Sequence, residues 1–183
     1  MISHKYRCLF IHQRKTAGTS IIHSFGYTGR DPEWHMFNDG TLSEEWQRKD
    51  EIAKDYLVFT VARNPWDRFI SGWKCLPHYQ DLSLDGVIAN LPQEGAPYRH
   101  LTRPQLDILI DAEGNFVPDI VIRFETLRED FREVCKLIGK PFHLPRMNST
   151  SHRSLKEYTS QAQIDFVRRH FKKDIDFFSY QFE

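Results

Sequence analysis

Two short apolar runs, "YRCLFIH" (Tyr6 to His12) and "YLVFTVA" (Tyr56 to Ala62), restrict this chain more than any other feature. Both are rich in β-branched and aromatic residues, and the second is nearly continuous, as a strand covered on both faces reads. A third run, "DIVIRF" (Asp119 to Phe124), leads into "TLREDFREVCKLIGKP". There Leu127, Phe131, Val134 and Ile138 recur at helical spacing, with a capping-box pattern at Thr126 and Glu129 and stop signals at Gly139 and Pro141. The same T/S-x-x-E pattern occurs at Thr41 to Glu44 and Ser154 to Glu157. Ile164, Val167 and Phe171 form a late apolar stripe before an aromatic tail, "DIDFFSYQF", expected to pack down. Strands alternating with helices predict an α/β fold with a central, mainly parallel sheet flanked by helices. Function then belongs in the strand-to-helix turns, at the carboxyl ends of the strands. The proline-punctuated stretch from Leu76 to Gln105 reads as loops and short helices over one face.

The 183 residues suit one domain over 1–183, without an internal repeat or linker. A hydrophobic content of 40% with fourteen Phe and four Trp is enough for a large aromatic core and argues against disorder. Net charge is zero, which gives no general attraction to nucleic acid or an acidic membrane, so local charge matters more. Residues 1–30 hold Lys5, Arg7, Arg14, Lys15 and Arg30 without an acid, and 143–173 hold seven Lys and Arg against Glu157 and Asp165. Two such basic segments could meet one anion. Cys8, Cys75 and Cys135 lack C-x-x-C pairing, which suggests neither a disulfide framework nor a zinc site and fits a reducing compartment. No stretch approaches a membrane span or a signal-peptide core.

After the first strand, "QRKTAGTS" leads into "IIHSF", a helix start. Gly18 permits close backbone approach, Thr16, Thr19 and Ser20 offer hydroxyls, and Lys15 brings a mobile charge. The stretch is either a phosphate cradle or a polar turn with a surface lysine. It lacks the G-x-x-x-x-G-K-[ST] form of an ATP-binding loop. The second turn, "FTVARNPWDRFISGW", puts Arg63 and Asn64 at a strand's carboxyl end and Pro65 in the first turn of a helix. Arg68 and Ser71 lie three apart on one face of that helix, so a hydroxyl from its second turn could join the strand-end Arg63, and a guanidinium fork plus a hydroxyl suits a phosphate monoester. Alternatively Arg68 pairs with an acid and Ser71 caps or packs.

In this order, "RKTAGTS", "RNPWDRFISGW", "RFETL" with "EDFREVCKLIG", and "LPRMNSTSHR" resemble the sulfotransferases that use 3′-phosphoadenosine 5′-phosphosulfate (PAPS). The likeness is closest to the carbohydrate and heparan-sulfate-like branch, where "PQLDILIDAEGNFVPDIVIRFETL" and "DIDFFSYQF" also have counterparts, and it spans nearly the whole chain. The resemblance implies a fold related to P-loop nucleotide kinases, with PAPS as cofactor and adenosine 3′,5′-bisphosphate (PAP) as product. It implies that the loop Arg14, Lys15, Thr16, Ala17, Gly18, Thr19 and Ser20 holds the 5′-phosphosulfate, with Lys15 acting on the sulfuryl group. Arg63 and Ser71 correspond to the 3′-phosphate ligands, and Asn148, Ser149, Thr150 and Arg153 to a late loop near the cofactor. Relatives have glycine where Ala17 stands, a harmless exchange unless that position needs positive φ.

Sulfuryl transfer, like phosphoryl transfer, is catalysed mainly by positioning and charge stabilisation, and requires no metal in principle. The acceptor hydroxyl still needs a base. His35, in "DPEWHMFND", corresponds to the place where a catalytic histidine often falls in the heparan-sulfate-like branch and is the first candidate. The alternative is a histidine packed among Trp34, Met36 and Phe37, with His100 and Glu33 as reserve bases. His12 adjoins the cradle and reads as structural, and Glu125 as a brace at the sheet end. Trp73, Tyr79, Tyr98, Arg99, His100 and Arg103 suit a sugar, a phenol or a lipid headgroup as acceptor. Golgi members of the family carry an amino-terminal anchor that this chain lacks, so a cytoplasmic enzyme acting on a glycan precursor or small molecule is expected. The competing readings are a nucleotide or small-molecule kinase of similar architecture, and an inactive relative that only binds PAPS or PAP.

Overall fold

The computed structural model describes residues 1–27, 55–145 and 154–182. The chain divides into two compact units, Met1–Ala62 with Asp107–Asn148, and Arg63–Leu106 with Ser149–Glu183.

The first unit is built on a four-stranded sheet in the order β1 (Ile2–Ser3), β2 (Cys8–Ile11), β3 (Leu57–Ala62), β4 (Ile120–Arg123). β2, β3 and β4 run parallel, with Phe10 opposite Phe59 and Phe59 opposite Ile120. All three parallel strands lie within the apolar runs. β1 is antiparallel to β2, and the sequence reading did not anticipate it, because two residues carry no periodicity. Helices α1 (Gly18–Ser24) and α5 (Leu127–Leu137) supply the other half of the core. Ile21, Ile22, Phe131 and Val134 pack with Phe10, Phe59, Val61 and Ile122, all essentially removed from water. The Phe10 and Phe59 rings stack at 5.0 Å, and each fully buried side chain of this size contributes about 1.5–3 kcal/mol.

The two ends of α5 follow the sequence pattern to different degrees. Its Gly139 has a φ of 65°, Lys140 N–H donates to Cys135 O at 2.8 Å and Gly139 N–H to Lys136 O at 3.3 Å, the paired bonds of a glycine-terminated helix. At the start, the expected capping box does not form. Thr126 makes no side-chain cap, and its hydroxyl donates to Asp130 at 2.8 Å. Asp130 also accepts the Arg123 N–H at 2.9 Å, so the carboxylate draws the hydroxyl away from the helix N–H groups and ties α5 to β4.

The second unit is helical: α2 (Pro65–Cys75), α3 (Leu84–Ala89), α4 (Gly95–Leu101), α6 (Gln161–His170) and α7 (Lys172–Phe178), with 3-10 turns at Pro77–Tyr79 and Ser154–Glu157. Its core is Trp66, Phe69, Ile70 and Trp73 of α2 against Leu84, Val87, Leu101, Val167 and Phe171. The polar tips of its buried aromatic rings find partners: Trp66 Nε1 donates to Ile164 O at 3.0 Å, and Tyr158 Oη to Trp66 O at 3.1 Å. The tail packs as expected through Phe178, Tyr180 and Phe182, while Phe177 stays exposed. Among the described residues, no helix is long and apolar enough to cross a membrane.

Candidate functional site

The first turn leaves β2 at Ile11 and returns as α1 at Gly18. Gln13 is buried beneath it, and its Nε2 donates to Thr60 Oγ1 at 3.2 Å. The Thr60 hydroxyl, in the middle of the sheet, donates in turn to Ile11 O at 2.9 Å. Thr16 Oγ1 donates back to Gln13 O at 3.0 Å, so the hydroxyl expected to face an anion is spent inside the loop. This short network fixes an unusual backbone. Lys15 has φ 68° and Ala17 φ 62°, both left-handed, whereas Thr16 between them does not. Positive φ in a residue with a Cβ costs about 1–2 kcal/mol, and turns of this kind aim successive N–H groups to one side. The exchange of glycine for Ala17 is therefore not neutral.

Gly18 is needed for a different reason from the one its sequence position suggests. Its φ is not positive, but a Cβ there would lie 1.8 Å from His12 Cδ2 and 2.1 Å from Nε2. The imidazole, stacked on Phe10 at 6.0 Å, occupies the space that glycine leaves. His12 thus shapes the turn, as the structural reading of that residue anticipated. Arg14, Lys15 and Thr19 are half-buried and Ser20 is buried.

The second turn follows β3. Asn64 caps α2, its Oδ1 accepting Trp66 N–H at 3.1 Å and its Nδ2 donating to Gln181 O at 2.7 Å, with Pro65 in the first turn as expected. Arg63 is 9% exposed. Its Nε and Nη2 both donate to Asp67 Oδ2, at 3.3 and 3.1 Å, a two-donor grip on one oxyanion. Arg63, Asp67 and the buried Ser71 succeed one another at four-residue spacing, along one side of the helix.

Arg68 does not share that role. It is 2% exposed, its Nη2 donates to the Arg103 carbonyl, and its guanidinium lies 5.3 Å from the Phe171 ring centre. Burial pulls it down to about 10, against the opposing pull of Asp174 and with a further push from Arg63. Arg68 is a structural cation, held by a carbonyl, a ring and a distributed field rather than by one acid.

His35, Glu33, Asn148, Ser149, Thr150 and Arg153 lie outside the described residues. His100 sits on α4 with Nδ1 2.8 Å from Ala96 O, and its own carbonyl lies 2.5 Å from where a Gly72 Cβ would be. Two cations of the late basic stretch are paired, Arg168 with Asp165 and Lys172 with Asp176, beside a cavity of about 730 Å³ lined by Trp66, Tyr180 and Phe182. Gln13, Thr60, Asp67 and Gln105 were not identified from sequence. Gln13, Thr60 and Gln105 act through contacts with distant segments, which leave no period to read, whereas Asp67 lies four residues from Arg63, a spacing that could have marked it.

A strand-to-helix turn with left-handed residues around a lysine, and a second turn with an arginine gripping a carboxylate oxygen, give this α/β protein two sets of donors of the kind that can meet an anion. The model of the sulfotransferase family matches residues 1–181, and the chain belongs to that family, whose chemistry is sulfuryl transfer. No curated protein and no solved structure matches the chain.

Proposed function

We propose that the protein transfers the sulfuryl group of PAPS to a hydroxyl of a carbohydrate or another small molecule. The family match over residues 1–181 carries this reading. Two features of the site support it: a turn whose backbone is held open around Lys15, and an arginine whose fork grips a carboxylate oxygen and has the right donors for a phosphate.

In this reading Arg14, Lys15, Thr16, Ala17, Gly18, Thr19 and Ser20 hold the 5′ end. PAPS supplies the activated sulfuryl group. The Lys15 ammonium stabilises charge on the departing phosphate oxygen, a contribution of about 3–4 kcal/mol if it matches one oxyanion-hole donor. Arg63 and Ser71 hold the 3′-phosphate, and Asn148, Ser149, Thr150 and Arg153 close over the nucleotide. His35 takes the proton of the acceptor hydroxyl, with His100 and Glu33 as the alternatives. The three cysteines are free, which supports a reducing, cytoplasmic setting. Each unit is discontinuous in sequence, which favours one sulfotransferase domain over 1–183.

Thermal melting with PAP tests the proposal. PAP raises the melting temperature of the wild type, and Lys15→Ala and Arg63→Ala each remove most of that rise. No shift at millimolar PAP sinks the reading, and greater stabilisation by ATP with Mg²⁺ replaces it with a kinase. PAP binding without turnover of PAPS across a broad acceptor array identifies an inactive relative.

A further inference from the structure

We propose that Gln105 is a positioning residue for Arg63 and that, by fixing this arginine, it sets the preference for a nucleotide carrying a 3′-phosphate. The proposal rests on the reading of Arg63 given above. Arg63 N–H donates to Gln105 Oε1 at 2.9 Å, and Gln105 Nε2 donates to Arg63 O at 2.9 Å. One carboxamide thereby engages both main-chain polar groups of Arg63, as a neighbouring strand would, at the residue where β3 has ended and α2 has not begun.

Gln105 is itself held. It is fully buried, and its own N–H donates to Asp174 Oδ2 at 2.7 Å while Leu106 N–H donates to Asp174 Oδ1 at 2.9 Å. Asp174 is fully buried too, in the tail of the chain on α7. Burial raises its carboxyl above the usual range, and the nearby Arg68 charge and the N–H groups of Gln105 and Leu106 oppose that rise. A buried carboxylate is expensive unless such donors surround it. Here its two oxygens fix the backbone on which the clasp depends.

Both ends of Arg63 are therefore fixed, the main chain by Gln105 and the guanidinium by Asp67. A side chain held in this way loses little freedom when it meets an anion, and that spared entropy appears as affinity for the group it meets. Loosening the clasp should weaken binding of the 3′-phosphate and leave the 5′ end untouched.

Calorimetric titration of the full chain with PAP and with adenosine 5′-phosphate separates these effects. The wild type binds PAP more tightly than the 5′-monophosphate, and Arg63→Ala erases the preference. Gln105→Met keeps the volume and removes the clasp. It is expected to weaken PAP about tenfold and to leave the 5′-monophosphate within about twofold. Equal weakening of both ligands makes Gln105 a general structural residue and overturns the proposal, as does unchanged PAP binding. Asp174→Asn is the second variant, with the same split at smaller size, and failure of both to fold assigns the network to stability alone and also overturns it. A wild type that binds neither nucleotide refutes the cofactor reading itself, a result distinct from all of these.

Discussion

The two strand-to-helix turns are held by different means. The turn after β2 relies mainly on its own short stretch, left-handed Lys15 and Ala17 with the Thr16 hydroxyl returned to Gln13, and takes one distant support, Thr60 on the adjacent strand. The turn after β3 is ordinary in its backbone and relies on distant residues, with Gln105 on the main chain of Arg63 and Asp174 behind Gln105. A strained loop can place backbone N–H groups tightly around a small group, whereas a clasped arginine presents one rigid fork. In the proposed reading, the first arrangement serves the reacting end of the nucleotide and the second an end that is only held.

Comparing Lys15→Ala with Arg63→Ala tests that division most severely. Lys15→Ala is expected to lower kcat by about 10²-fold or more with a smaller change in the KM for PAPS. Arg63→Ala is expected to act chiefly on that KM. Steady-state kinetics at saturating acceptor read both, and an identical pattern for the two variants would abolish the distinction. Next in size is Gly18→Ala, which drives a Cβ into the His12 ring and should cost about 1–3 kcal/mol in urea unfolding. His12→Ala in the same chain should restore most of the loss; if it does not, His12 is not what Gly18 accommodates.

Thr60→Val keeps the shape of the side chain and deletes the bridge between Ile11 and Gln13. A loss of about 1–2 kcal/mol is expected, together with weaker 5′-monophosphate binding. A change in stability alone would detach Thr60 from the cradle. The smallest effect is that of Ala17→Gly. Relief of positive φ is partly offset by the greater freedom of the unfolded chain, so a gain below about 1 kcal/mol is expected, and a loss would mean that the methyl group packs usefully.

Much of the fold was legible because periodicity is a local property. The three apolar runs became the parallel strands, and the stripe of Leu127, Phe131, Val134 and Ile138 became α5, ended by Gly139. The capping box failed because Asp130, four residues on, competes for the Thr126 hydroxyl, and a four-letter pattern does not register that competition. In the two turns, residue type after a strand was enough to single out Lys15 and Arg63 as candidates. Gln105 could not be singled out, since a lone glutamine 42 residues from Arg63 has no spacing that marks it as a partner.

What the sequence determined by itself is the alternation of strands and helices, the two turns that follow β2 and β3, and the charged groups placed in them. Those follow from chain-local rules: hydrophobic period, first-turn proline, terminal glycine. Only the tertiary structure decided that Ala17 is left-handed, that Gly18 makes room for a histidine ring, that Arg68 is buried, and that a carboxylate in the tail stands behind Arg63. These depend on which groups meet across long stretches of chain, and hydrogen bonding in a closed core, unlike periodicity, is settled only when the partners are in place.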